Sequence, residues 1–383
     1  MKRDILWERF GIMRLICAFI LLAFTLRYCS LLSDSLSGAV VYVFSEASHA
    51  LISTQKNTVL QDKLPTADGD ADLYTESLIE DTDKKSPQAE STSTGYSTPE
   101  DVIRFEEEYL AAFSSSVAAG STEEVFFSTS GATDTVSGIS IKNATATKKP
   151  DFEALIEQGI SLDIPDKSEP VVLIFHTHTT ESYLLSDNGV FYSDYQTRST
   201  DSSKNMIRVG DEICRVLEEN GIGYIHDTKI YDEAYEGAYG RSRESVQQYL
   251  EEYPSIKIVL DVHRDAIYYS DSSRCKPTAE IDGKKAAQIM IITGAEEGYI
   301  TDFPDWEENL KFALAFQETA EDMYKGLMKP LYFCQRKYNM DLGAVSLLFE
   351  MGTDANTLDE AMYSGYLAGN VLAEMINEMA ESE

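Results

Sequence analysis

The sequence predicts an α/β fold, a mostly parallel sheet flanked by helices, and three stretches predict it most directly. Val171-Val-Leu-Ile-Phe175, Ile258-Val-Leu-Asp-Val262 and Ala344-Val-Ser-Leu-Leu-Phe349 are short apolar runs of the kind that forms strands buried on both faces. A potential ligand or acid–base group follows each run: His176, His178 and Glu181 after the first, His263 after the second, Glu350 after the third. Helical patterns fill the intervals, which gives the strand–helix alternation of α/β proteins. In open sheets of this class, sites assemble outside the carboxyl ends of the strands.

Taken in order, the chain begins with a basic end carrying Lys2, Arg3, Arg9 and Arg14, then the apolar run Leu15 to Leu26, closed by Arg27. That run is short for a span of ~20 residues. It lengthens through Phe10 to Met13 and Tyr28 to Leu32 if Arg27 snorkels. No clear small-x-small cleavage site follows, so residues 1–44 are expected to be a retained membrane anchor with the basic end cytoplasmic. The rest of the chain then lies outside the cytoplasm.

Residues 45–150 are rich in Ser, Thr, Asp and Glu, as in Thr66-Ala-Asp-Gly-Asp-Ala-Asp72, and are expected to be a largely disordered acidic stalk. Within it, Pro99 to Ser114 has the spacing of a short helix, with Val102, Phe105, Tyr109 and Phe113 along one face. From residue 151 the α/β domain is expected. After the first strand come a helix from Asn205 to Asn220, stopped by Gly221, and a short strand from Gly223 to His226. Ser242 to Glu252 is a helix ended by Pro254, and Ile256 to Val262 the next core strand. Thr278 to Thr293 reads as a hairpin turning at Asp282-Gly283. A long helix from Trp306 to Leu327, the strand of Ala344 to Phe349, and a last helix capped by Thr357 complete the domain.

The net charge of −33 leaves no basic face for a nucleic-acid partner. Five cysteines without a CxxC spacing make neither a thiolate zinc site nor a disulfide framework, although a bridge among Cys214, Cys275 and Cys334 stays open. Gly-rich phosphate loops and GxSxG elbows are absent, which excludes the common forms of nucleotide chemistry and serine hydrolysis. The chemistry then rests on the three strand ends. If the first strand persists to residue 178, alternation places His176 and His178 on one face, as a metal chelate requires. His263 is flanked by Asp261 and Asp265, either of which can hold the ring's far nitrogen. Catalytic zinc takes three protein ligands and leaves a fourth position open. The expected ligands of a Zn2+ ion are therefore drawn from His176, His178, Glu181 and His263, with Glu350 as general base. Arg264 is the expected substrate-binding residue, because alternation puts it near the site mouth. Tyr231 to Tyr239 reads as a saccharide or peptide platform or as ordinary exposed loop tyrosines.

His176-Thr-His-Thr-Thr-Glu-Ser182, Val209-Gly-Asp-Glu-Ile213, Gly221-Ile-Gly-Tyr-Ile-His-Asp227, Leu260-Asp-Val-His-Arg-Asp265 and Phe349-Glu-Met-Gly-Thr-Asp-Ala-Asn-Thr-Leu358 occur in this order. With Asp282-Gly-Lys-Lys-Ala-Ala-Gln-Ile-Met290 and Trp306-Glu-Glu-Asn-Leu-Lys-Phe-Ala313, they resemble the stage II sporulation protein P family of spore-forming Firmicutes. The resemblance implies a zinc-dependent amidase fold of the N-acetylmuramoyl-L-alanine amidase type 3 kind, with peptidoglycan as substrate. It also implies a capacity to cut cross-linking peptides, a membrane location, and work beside the sporulation proteins D and M during engulfment. By motif, a His of the first motif and His263 bind zinc and Glu350 is the catalytic glutamate. The wider zinc amidases open the helix after the first strand with a ligand Glu, whereas here Asp201-Ser-Ser-Lys-Asn205 stands at that place. The third ligand is thus left among His178, Glu181 and a carboxylate such as Asp211, with the His-x-His pair and Glu181 preferred. Two rivals are a non-catalytic module that binds peptidoglycan or a partner, and a zinc peptidase acting on stem peptides alone.

Overall fold

The structure, a computed structural model, describes residues 95–381 apart from Ser114, Ser115, Asp194, Asp271 and Ala344. The expected anchor over 1–44 and the expected stalk as far as residue 94 lie outside the described residues. Among the described residues no helix is long and apolar enough to cross a membrane.

Folded elements begin well before residue 151, so the boundary expected there is corrected. Helix α1 (Glu100–Phe113) forms where the sequence spacing placed it. Strands β1 (Gly120–Val125), β2 (Asp134–Val136) and β3 (Ile139–Asn143) follow, although their stretch is poor in long apolar runs. They fold because partners supply what the sequence lacks. β1 lies parallel to β9 (Ser273–Ile281), and β3 lies parallel to β12 (Leu331–Cys334) with Ile139 and Ile141 buried beneath. A short helix α2 (Phe152–Gln158) is capped by the Asp151 carboxylate, which accepts from Ala154 N–H.

The core elements then run β4 (Pro170–Phe175), β5 (Val190–Phe191), α3 (Met206–Glu219), β6 (Gly223–His226), α4 (Ala238–Glu252) and β7 (Ile258–Asp265). After them come β8 (Tyr268–Ser270), β9, β10 (Lys284–Ala287), β11 (Ile289–Gly294), α5 (Trp306–Met323), β12, β13 (Val345–Thr353) and α6 (Leu358–Glu381). The larger sheet has eight strands in the order β2-β3-β12-β11-β13-β7-β4-β6. Only β2–β3 and β11–β13 pair antiparallel in it, so it is mostly parallel. Its central strands carry continuous apolar side chains because helices cover them: α3 and α6 pack together, and Val172, Ile174, Ile213, Leu217, Leu260 and Leu347 share one core. α6 starts with a reciprocal cap, in which Thr357 Oγ1 accepts from Glu360 N–H and Glu360 Oε2 accepts from Thr357 N–H.

The smaller sheet, β10-β9-β1-β5 with β8 on β9, was not foreseen. Its β9–β10 hairpin was: Asp282 and Gly283 both have positive φ, 51° and 77°, as a tight two-residue turn requires. The chain changes sheets at Gln288, whose buried amide exchanges hydrogen bonds with Phe127 in both directions. A fully buried Lys276 bonds Asp187, Glu124 and Glu360 at 2.5, 3.2 and 2.7 Å and ties this sheet to α6. Cys214, Cys275 and Cys334 are buried, and no disulfide forms among them.

Candidate metal centre

β4, β7 and β13 are neighbours and all parallel, so their carboxyl ends share one edge. Register sets the details: Phe175 pairs with Asp261, and His263 pairs with Glu350. Beyond Phe175 the chain leaves the sheet in a turn over 177–180. Thr177 fastens that turn, donating to Asp261 through its N–H at 2.8 Å and its hydroxyl at 2.7 Å. Thr180 fastens it again, with its hydroxyl on the buried carboxylate of Asp232, which also pairs with Arg198. The turn brings His178 and Glu181 back over the end of β7.

Nitrogen and oxygen atoms of His178, Glu181 and His263 lie within 4.8 Å of one another, and all three residues are buried. Glu181 sits between the rings: Oε1 is 3.4 Å from His178 Nδ1 and Oε2 is 3.4 Å from His263 Nδ1. Its Oε2 also accepts from Arg264 N–H at 3.1 Å. The far nitrogen of His263 is 2.7 Å from Asp261, the carboxylate that Thr177 anchors, as one of the two expected arrangements required. Burial pushes the Glu181 carboxyl up, but His178, His263 and Arg264 more than reverse this and hold it well below the usual carboxylate range. Burial likewise pulls His263 down, and Asp261 and Glu181 override it, leaving the ring well above its ordinary value.

Glu350 stands one strand away from His263, buried, with Oε2 lacking any hydrogen-bond partner. An unpaired buried carboxylate oxygen is costly, so it marks a place built for a further polar group. Burial and then Asp265 push the Glu350 carboxyl up to about 8, against the pull of His263 and Lys329. Lys329, itself fully buried, lies 3.3 Å from Asp265. Two imidazoles and a carboxylate with converging donors, beside an orphaned carboxylate oxygen, fit a divalent cation of the zinc type: three protein ligands and one side left open.

The structure does not bring His176 into this group, which corrects the expected His-x-His chelate. The strand stops at Phe175, so alternation no longer governs residues 176–178. His176 turns under the sheet edge instead. Its Nδ1 donates to the Val262 carbonyl at 2.8 Å, and its Nε2 is 2.9 Å from Nε2 of His226. Burial, then the neighbouring His226, hold His176 well below its ordinary pKa. Asp211, an alternative ligand from the sequence, lies by His226 at 3.2 Å and not in the cluster. Arg264 is also corrected. Its guanidinium is buried and donates to the carbonyls of Ser182, Asp265 and Thr197, so it braces the loop that carries Glu181.

The sequence reading missed Arg198, Asp232 and Lys329. A lysine within an apolar stretch, Leu327-Met-Lys-Pro-Leu331, was a usable signal for the last. The tyrosine stretch proves to belong to the site: the Tyr235 ring stacks on His178 at 4.9 Å, and Tyr239 lies against both His178 and His263. A second acidic group, Glu124, Asp187 and Glu360, already surrounds the ammonium groups of Lys276 and Lys285 and is an ion-pair network.

Two solved amidases superpose loosely. The apo form of the N-acetylmuramyl-L-alanine amidase Ami1 from Mycobacterium abscessus matches 55% of this chain and 98% of its own, with 14% identity and a TM-score of 0.32. The N-acetylmuramoyl-L-alanine amidase AmiC2 of Nostoc punctiforme matches 54% of this chain and 96% of its own, with 10% identity and a TM-score of 0.32. Superpositions this loose decide nothing about the site. The stage II sporulation protein P of Bacillus subtilis (strain 168) is 31% identical over 217 residues, 54% of this chain and 51% of that protein. The chain thus spans about half the length of this curated relative. The profile of stage II sporulation protein P matches residues 55–377, most of the chain and all the residues of the centre, and the chain belongs to that family.

Proposed function

We propose that the protein is a peptidoglycan hydrolase of sporulation that cleaves the amide between N-acetylmuramic acid and L-alanine of the stem peptide, with cross-linking peptides as a second class of target. The observation that carries this reading is the convergence of His178, Glu181 and His263 beside a buried Glu350 whose Oε2 has no partner. His178, Glu181 and His263 would hold the ion. A zinc ion bound there supplies a Lewis acid that polarises a carbonyl and lowers the pKa of a water toward ~7.

The side chains do the rest. Glu350 accepts a proton as the water oxygen bonds to the amide carbon, and returns it to the nitrogen as the carbon–nitrogen bond breaks. Its position on a central strand fixes it against His263 without a mobile loop. Asp261 holds the His263 ring, and Arg264 holds the Glu181 carboxylate through its backbone N–H and the adjoining Ser182 carbonyl through its guanidinium. By the same reading the N-terminal segment anchors the protein in a membrane, the centre acts outside the cytoplasm, and sporulation proteins D and M are its partners.

Glu350→Gln keeps shape and bulk but cannot take a proton. It should retain the metal while slowing release of muropeptides from purified sacculi by about a hundredfold to ten-thousandfold. Mass spectrometry of the products should show peptide-free glycan from the wild type. Wild-type turnover by Glu350→Gln would end this assignment, and products cut only within stem peptides would make the protein a peptidase instead.

A further inference from the structure

One strained turn lies beside the centre and is used by nothing described so far. Tyr338 and Asn339 are consecutive residues with φ of 40° and 60°, in the left-handed region. Asparagine tolerates that region, whereas a bulky tyrosine rarely enters it. Such strain costs on the order of 1–3 kcal/mol and persists only where surroundings enforce it, often at ligand sites. Here the enforcement is visible. Asn339 Nδ2 donates to the Tyr239 carbonyl at 3.0 Å and to Ser242 Oγ at 3.1 Å. Arg243 grips Asp341 with both terminal nitrogens at 2.7 Å. Asn309 holds the Met340 carbonyl from the other side at 2.7 Å.

The result is a row of rings. Tyr338 stacks on Tyr239 at 5.3 Å, and Tyr239 stacks on His263 at 6.3 Å while its edge meets His178. Tyr235 stacks on His178 from its own loop and remains 44% exposed, so the row opens to solvent beside the ligand histidines. Tyr338 and Tyr239 are partly exposed as well. Tyrosine offers a wide apolar face with a polar tip, which suits the C–H face and hydroxyls of a pyranose. A stem-peptide carboxylate is served less well, because the neighbouring cations are committed: Arg198, over the Tyr235 ring, to Asp232 and Glu181, and Arg243 and Lys337 to Asp341.

We propose that Tyr338, Tyr239 and Tyr235 form an aromatic wall that seats a neutral N-acetylated sugar ring of the glycan strand next to the His178–Glu181–His263 centre. This rests on the peptidoglycan reading above. Tyr338 is the ring that the strained turn presents, and it stacks on Tyr239. One side of it also rests by the apolar cluster of Met290, Phe303, Met340 and Leu348, so bulk and ring must be separated experimentally.

The test uses the full-length chain carrying Glu350→Gln, so that binding is read without cleavage, with Tyr338→Leu and Tyr338→Phe added separately. Retention on purified sacculi is measured, with peptide-free glycan chains or free stem peptide as competitor. Tyr338→Leu should weaken retention and glycan competition about threefold to tenfold, and Tyr338→Phe should preserve both. Zinc content should match the parent in each. Equal binding by Tyr338→Leu, or competition by stem peptide and not by glycan, overturns the wall. A wild type that binds sacculi and releases nothing overturns the hydrolase reading and leaves the wall standing.

Discussion

His176 and His178 are two residues apart, both buried, and do opposite jobs. His178 keeps company with Glu181 and His263, and the three donor atoms converge within 4.8 Å of one another. His176 spends one nitrogen on the Val262 carbonyl and sets the other against His226. The contrast shows what distinguishes a metal centre from a structural histidine pair. Residue type and burial are common to both; the partners each ring meets are not. Strand termination makes the difference, since leaving the sheet after Phe175 gives the two rings different neighbours.

Metal content breaks or sharpens this comparison with the largest expected effect. Glu181→Gln or His178→Ala should reduce bound zinc from about one ion per chain to near none and abolish hydrolysis, because a three-ligand site does not survive loss of a ligand. Elemental analysis of purified protein decides it. His176→Ala should keep the metal and instead destabilise the fold by about 2–4 kcal/mol, through a cavity and an orphaned Val262 carbonyl. Loss of zinc by a folded His176→Ala protein would refute the division of labour.

A smaller effect is expected at Gly210, on α3 above the histidine pair. A Cβ there would lie 2.5 Å from His226 Nε2 and 2.8 Å from His176 Nε2. Gly210→Ala should therefore cost about 1–3 kcal/mol in chemical denaturation with zinc unchanged. The smallest effect belongs to Asp341, which braces the strained turn. Burial pushes its carboxyl up, and Arg243 and Lys337 more than reverse this, so its folded pKa is below the unfolded one. Its stabilisation is then present above an unfolded pKa of about 4 and is lost as pH falls through the folded value. Asp341→Asn should cost about 1 kcal/mol at neutral pH, and the gap to wild type should close on acidification in thermal melts.

The central layout was legible because it depends on local signals. Apolar runs gave β4, β7 and β13, caps and glycine gave α3 and α6, and Asp282-Gly283 gave the hairpin. Groups at the ends of parallel neighbours then had to share an edge, which is where His263 and Glu350 stand in register. Before residue 151 only α1 was legible: β1 and β3 are held by β9 and β12, which are more than a hundred residues away. Their stability comes from a partner's backbone and not from their own composition.

The sequence by itself determined the α/β class and the residue types gathered at one edge of the sheet, since periodicity and chain direction are properties of neighbouring residues. Only the tertiary structure decided which histidine joins Glu181, that Arg264 is a brace, and that tyrosines from α4 and from the turn at 338–339 line the centre. Those outcomes depend on where strands end and on which distant carbonyls and carboxylates claim each donor, and no local pattern encodes that competition.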